Sequence, residues 1–206
     1  RKLEMAPTYE ALEAIERATV IIDCTPSGVG ISNKTKFYET YRHNTKGFIA
    51  QGSEFSFGKM YACGINDSTL IPGEDQFIHV VSCNTHNLAA LIKNIGGVET
   101  DGDNFVEGHF MCIRRANDIS QDGGFLASPK VGTHDDPIFG THHARDAYHL
   151  FKTLGIELNL FSSAMKANTQ YMHAIWFDIK VKHPVDLNRV IERLHNDERV
   201  AVTEHT

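Results

Sequence analysis

The sequence predicts an α/β protein in two parts. Residues up to about Ser82 read as a parallel, βαβ-built sheet, and the residues after it as an α+β part whose mainly antiparallel sheet carries helices on one face. Three observations predict this. The first part alternates short apolar strands with glycine loops and helices, the grammar of crossover-connected parallel strands. The second part has long strand patterns with few helices between them, which favours antiparallel pairing. Between the two, Phe77-Ile-His-Val-Val runs through Ser82 into Cys83 and a helical pattern, which sets the boundary at Ser82/Cys83.

In chain order, Pro7 to Ala18 reads as a helix with Tyr9, Leu12 and Ile15 on one face and proline near its start. Thr19 to Asp23 is a short β-branched run of the kind buried in parallel sheets. Cys24-Thr-Pro-Ser-Gly-Val-Gly30 is a turn-forming loop, and Asn33 is placed to cap a helix reaching about Tyr41. Lys46 to Gln51 is the next strand, and Gly52-Ser-Glu54 a second glycine loop. After Cys83, Leu88, Leu91, Ile92 and Ile95 fall at helical spacing. Phe105 to Arg115, Ile156 to Lys166 and Tyr171 to Lys182 are strand candidates, with helices at Asp146 to Leu154 and Val185 to His195. The irregular run from Asp118 to Gly140 is long enough to suggest a functional or interface loop.

Composition narrows the classes. With 41% hydrophobic residues and a net charge of −6, the 206-residue chain has core-forming content and lacks a broad basic surface for nucleic acid. No apolar run approaches the ~20 residues of a membrane span, and nothing signal-like stands at the N-terminus, so a cytoplasmic protein is expected. The four cysteines are widely spaced without a CxxC pair, as for reduced thiols rather than a zinc ribbon or a disulfide framework. The chain starts at Arg1 within a helical pattern and stops at Thr206 just after a strand-like run. An excerpt of a longer protein is the expectation.

Chemistry concentrates at Cys83. A thiol on the first turn of a helix sits beside unpaired N–H groups and the positive end of the helix dipole, which favour the nucleophilic thiolate. A cysteine that merely packs would not need the polar run Ser82-Cys-Asn-Thr-His-Asn87 around it. Gly28, Gly30 and Gly52 follow consecutive strands, where backbone N–H groups can approach a nucleotide; each loop alone is an ordinary turn. Arg114 and Arg115 at a strand end can clamp a phosphate. Thr141-His142-His143 at a helix start suits phosphate or metal, or a simple Thr141 cap. His173 lies in an apolar strand pattern and is a base or a satisfied core residue. Cys83, His86, His142 and His143 match no common zinc module, so no metal site is expected.

Taken in order, these segments resemble the phosphorylating glyceraldehyde-3-phosphate dehydrogenases, most closely the archaeal type. Val80-Val-Ser-Cys-Asn-Thr-His-Asn-Leu88 is similar to the family's catalytic segment. Ile22 to Gly30 resembles its Asp-x-Thr-Pro-x-Gly-x-Gly loop, and Phe48 to Glu54 its Gln-Gly-x-Glu turn. Arg114-Arg115, Thr141-His-His-x-x-Asp146 and Met172-His173 also fit. His86-Asn87 departs from the usual archaeal Thr-Gly, and the loops around Asp101 and from Asp122 to Phe139 are longer than usual.

The resemblance implies that residues 1–82 are the latter part of a Rossmann-like NAD(P)-binding domain. Residues 83–206 would be a C-terminally incomplete catalytic domain. The first βαβ unit and the C-terminal segment would be missing. It implies Cys83 as nucleophile and His173 as base. Ser82, Asn84, Thr85, Arg115, His142 and His143 would hold substrate and phosphate, with an oxyanion role for Asn84 through its N–H or side chain. Thr25, Pro26, Gly28, Gly52 and Arg114 would hold NAD or NADP. The substrates would be glyceraldehyde 3-phosphate and inorganic phosphate, the product 1,3-bisphosphoglycerate in glycolysis or gluconeogenesis, and the assembly a homotetramer. The rival readings are a related cysteine-dependent semialdehyde dehydrogenase or acyl-phosphate reductase, a non-catalytic homologue, and a histidine-rich metal binder.

Overall fold

The computed structural model describes residues 6–98, 102–115, 128–168 and 172–204. The loop around Asp101, the first part of the irregular run (Asp118 to Ala127) and the expected strand start at Tyr171 lie outside the described residues. The chain divides into two compact units, residues 1–61 with 67–82, and residues 62–66 with 83–206.

The first unit is built on a parallel sheet. Helix α1 (Ala11–Arg17) leads into β1 (Val20–Asp23), helix α2 (Val29–Lys36), β2 (Gly47–Gly52), β3 (Lys59–Tyr61) and β4 (Phe77–Val81). The strand order is β1-β2-β4-β3, and all three pairings are parallel. α1 is shorter than its sequence pattern and leaves Tyr9 outside it. β1 is less buried than its composition suggests. It is the edge strand, and Ile22 on its open face is 65% exposed.

The core lies on the other face. Phe48 of β2 stacks between Tyr38 and Phe77 of β4, with ring centroids 5.2 and 4.7 Å away. Phe57 meets Tyr38 and Phe77 edge-on. This offset and T-shaped arrangement suits the quadrupoles of aromatic rings.

α2 begins at Val29, earlier than expected, with Gly28 as N-cap at φ 83°. Asn33 therefore lies inside the helix and does not cap it. Its side chain donates to Asp23, as do the Thr25 backbone N–H and hydroxyl and the Tyr38 hydroxyl. Burial raises the Asp23 pKa, but these donors outweigh it and hold the carboxyl below its ordinary value.

The cap of α2 comes from a distance. Glu54, buried, accepts from Gly28 N at 2.6 Å and Ile31 N at 3.0 Å. A carboxylate here satisfies orphan donors and faces the positive end of the helix. A Cβ at Gly30 would stand 3.0 Å from the Glu54 carboxylate, so this glycine makes room for the cap. Glu54→Gln keeps the shape but turns an amide N–H toward a backbone donor. It is expected to lower the chain's stability to urea by about 1–3 kcal/mol. A loss under a few tenths would show that α2 does not depend on this cap.

The second unit carries a mixed sheet of order β6-β7-β5-β8. Its strands are β5 (Phe105–Arg115), β6 (Lys130–Val131), β7 (Leu160–Ala167) and β8 (Ala174–Val181). The outer pairings are antiparallel, but the central β5–β7 pair is parallel, because α4 crosses between those strands. The helices are α3 (Cys83–Asn94), α4 (His142–Lys152) and α5 (Leu187–Asn196). α4 starts four residues before the expected Asp146, at the Thr141 cap position. Alternate residues of β5, Phe110 and Cys112, are buried toward the helices, while His109 between strand neighbours is exposed. Leu88 and Ile92 of α3 and Leu150 of α4 are fully buried. Segment 62–66 joins this unit through Lys93 Nζ to Gly64 O, Asn66 Nδ2 to Thr153 Oγ1 and Arg199 Nη1 to Cys63 O.

Candidate active site

β4 is a buried alternating strand that ends at Val81, and two residues later Cys83 opens α3. The thiol therefore sits on the first helical turn, beside N–H groups without intrahelical partners. Cys83 is exposed. It lines a pocket of about 410 Å³ with Asn87, Arg115, Met172 and His173. Asn87 shares its helix face by the i, i+4 rule, a spacing that the sequence offered and that a motif-by-motif reading passes over. Met172 is the residue before His173.

His173 lies just before β8, not within it. Its Nδ1 accepts the backbone N–H of Arg115 at 3.2 Å. With that lone pair engaged, the neutral ring carries its proton on Nε2 and can donate from there. The expected base is thus held in the tautomer of a donor.

Other expected site residues lie elsewhere. Asn84 and Thr85 are buried and do not line this pocket. The Asn84 side chain points Nδ2 at His143 Nε2, 3.3 Å away. The side-chain oxyanion role expected for Asn84 does not fit this direction, whereas its backbone N–H remains on the first turn. Helix periodicity explains the outcome: residues 84 and 85 turn inward when 83 and 87 turn outward.

His143 is 2% exposed and interior. Its Nδ1 pairs with Thr141 Oγ1 at 2.9 Å, Thr141 meets Ser162 Oγ at 2.6 Å, and Ser162 Oγ accepts from Ala144 N. Burial, reinforced by His142, Arg114 and His173, pushes the His143 pKa far down, so the ring is neutral at physiological pH. His142 stacks on it at 4.0 Å and is also depressed by burial. The pair therefore does not supply the two positive charges a phosphate clamp would use. Nothing in composition marked Thr141 and Ser162 as partners, since their meeting depends on tertiary packing.

Arg114 and Arg115 separate. Arg115 lines the Cys83 pocket, and Arg114 lines another pocket that shares no residue with it. Cys112 is buried, and burial drives its thiol up to about 11. Among the described residues no group of three or more His, Cys, Asp or Glu is placed to hold a metal.

In the first unit, Thr25 and Pro26 stand exposed on the loop after β1. Gly52 at φ 94° has open space where a Cβ would stand. Gly28 N–H, expected to cradle a nucleotide phosphate, is occupied by Glu54.

Fold and site together define an α/β protein that presents a cysteine on a strand-to-helix turn beside a histidine. No protein-family model matches the chain. Among curated proteins it is 26% identical over 201 residues to a glyceraldehyde-3-phosphate dehydrogenase of Archaeoglobus fulgidus, covering 96% of this chain and 54% of the relative. It is 30% identical over 195 residues to that of Methanoregula boonei, covering 90% and 50%. It is 28% identical over 204 residues to that of Thermococcus onnurineus, covering 98% and 54%. The chain is related to the archaeal-type glyceraldehyde-3-phosphate dehydrogenases, and spans about half the length of the curated relatives it matches.

Proposed function

We propose that this chain is the central segment of a phosphorylating glyceraldehyde-3-phosphate dehydrogenase. Residues 1–82 would belong to its NAD(P)-binding domain and residues 83–206 to its catalytic domain. The carrying observation is Cys83 on the first turn of α3, in one pocket with Arg115 and His173.

The exposed loop after β1 and Gly52 at the end of β2 fit a dinucleotide at the carboxyl ends of parallel strands. Its phosphates would not rest on the α2 N-terminus, which Glu54 fills. Thr25, Pro26 and Gly52 would hold NAD or NADP, which supplies the hydride acceptor.

The chemistry assigned to the chain's own residues is as follows. The Cys83 thiolate attacks the aldehyde carbon, an S–C bond forms, and the carbonyl electron pair moves to oxygen. His173 Nε2–H and the Asn84 backbone N–H stabilise that alkoxide, and Arg115 holds a phosphate of the substrate. Once the hydride has left, Cys83 carries a thioester. An oxygen of inorganic phosphate attacks its carbonyl carbon, the C–S bond breaks, and 1,3-bisphosphoglycerate leaves as the thiolate returns.

The donor role differs testably from that of a base. Glutamine can donate an N–H but cannot take a proton. His173→Ala is expected to lower kcat by roughly 10²–10⁴, with His173→Gln recovering tenfold or more of that loss. Equal losses in both variants would restore the base.

The overall reading is tested with the full-length protein by NAD(P)H formation from glyceraldehyde 3-phosphate, with and without inorganic phosphate. Phosphate-dependent formation supports it. Formation indifferent to phosphate points to a non-phosphorylating aldehyde dehydrogenase, and no formation with either cofactor rejects it. No helix among the described residues is long and apolar enough to cross a membrane. A cytoplasmic location and a homotetramer complete the proposal, the latter to be checked by sedimentation.

A further inference from the structure

His79 is a buried polar side chain to which the proposed reaction gives no role. It stands in the middle of β4, between Ala50 of β2 and Met60 of β3 in the sheet register, and has no exposed surface. Its Nε2 lies 2.8 Å from the Gly52 carbonyl oxygen and 3.3 Å from the Glu54 backbone nitrogen. One ring nitrogen cannot donate to the first and accept from the second at once. Two lone pairs facing each other at the shorter distance would repel, so the proton sits on Nε2 and Gly52 O is the acceptor. Nδ1 is buried and meets no partner among the described residues. A buried polar atom without a partner costs stability. Packing alone would be served better by an apolar residue, so the ring is explained by what Nε2 holds.

It holds the turn that follows β2. Gly52 ends that strand at φ 94°. Ser53 O accepts the Ser27 hydroxyl at 2.9 Å, and the Glu54 carboxylate caps α2 through Gly28 N and Ile31 N. The turn therefore fixes the loop after β1 as well as itself. Both stand at the carboxyl ends of parallel strands, where ligands of α/β sheets bind.

We propose that His79 is a positioning residue for the dinucleotide. Through Gly52 O it sets the 52–54 turn, and through Ser53 and Glu54 it sets the loop that carries Thr25 and Pro26. The identity of the ligand rests on the dehydrogenase reading, whereas the anchoring of the two loops does not.

The test compares the full-length protein with two variants. His79→Leu removes the polar ring, and His79→Gln keeps an N–H to donate and an oxygen to accept. Hydrogen exchange without cofactor reads the anchor. His79→Leu is expected to speed exchange in residues 28–31 and 52–54 about fivefold or more, as loss of one hydrogen bond implies, and to leave α3 unchanged. Fluorescence titration with NADH and NADPH reads the ligand. The tighter of the two should bind about fivefold or more weakly to His79→Leu, and within about twofold of the unsubstituted affinity to His79→Gln. Unchanged exchange, unchanged affinity in the leucine variant, or an equal loss in the glutamine variant would overturn the proposal. Faster loop exchange with no binding of either dinucleotide by the unsubstituted protein would reject the dehydrogenase reading and the cofactor role with it, and leave the anchor standing. If leucine abolishes the cooperative urea transition, His79→Met takes its place. Failure of both to fold would make the ring a requirement of the sheet and overturn the positioning role.

Discussion

Replacing Cys83 by serine is expected to lower kcat of the full-length enzyme by roughly 10⁴-fold or more while leaving its fold intact. The exchange of sulfur for oxygen acts twice. A serine hydroxyl at neutral pH has almost no alkoxide, so attack on the aldehyde slows. The acyl group would then sit as an ester, a poorer leaving group for phosphate than a thioester. Cys83 is exposed on the first turn of α3, so the serine loses little packing and retains the helix start. Substitution is more decisive than alkylation here. Cys24 and Cys63 are exposed as well, and a thiol reagent would reach all three. Cys112 is a poor target, since burial holds it protonated with its pKa up to about 11. Activity should be measured in Cys83→Ser beside a Cys24→Ser/Cys63→Ser control. Residual activity within tenfold of the unsubstituted enzyme would remove Cys83 from the chemistry and favour a non-catalytic reading of the pocket.

Which features were legible in the sequence follows from the range of the forces involved. The strand-to-helix turn at Cys83 was legible because apolar alternation and helical spacing are local. β5 coincides with its pattern from Phe105 to Arg115 for the same reason. The parallel β5–β7 pairing was not legible, because it depends on where the crossover through α4 returns. Motif reading placed His142 and His143 in the site as phosphate ligands. The packing of α4 turned His143 into a buried, neutral link between Asn84 and Thr141. The Glu54 cap joins residues 26 and 23 positions apart, beyond any local signal for a helix start. His173 stands out by residue type alone, whereas the Arg115 N–H that engages its Nδ1 comes from another strand and leaves no local signal.

Phe48→Ala is expected to have the largest effect on folding, about 3–5 kcal/mol of lost stability in the chain. Phe48 has no exposed surface and stacks at interplanar angles of 25° on Tyr38 and 11° on Phe77. Truncation removes its transfer free energy and leaves both neighbouring rings facing a void that sheet geometry cannot close. The loss spreads toward the candidate cofactor loop. Tyr38 loses a stacking surface, and its hydroxyl is the buried donor to Asp23 at 2.7 Å. Asp23 in turn holds the Thr25 backbone at 2.9 Å. Loosening the ring cluster should therefore also weaken any dinucleotide bound by Thr25 and Pro26. Phe48→Leu, which keeps most of the volume, should cost less than half as much. Urea unfolding with slopes compared between variants separates lost stability from a changed unfolded state. A loss under about 1 kcal/mol for Phe48→Ala would mean that the sheet of the first unit is held by contacts other than this aromatic cluster.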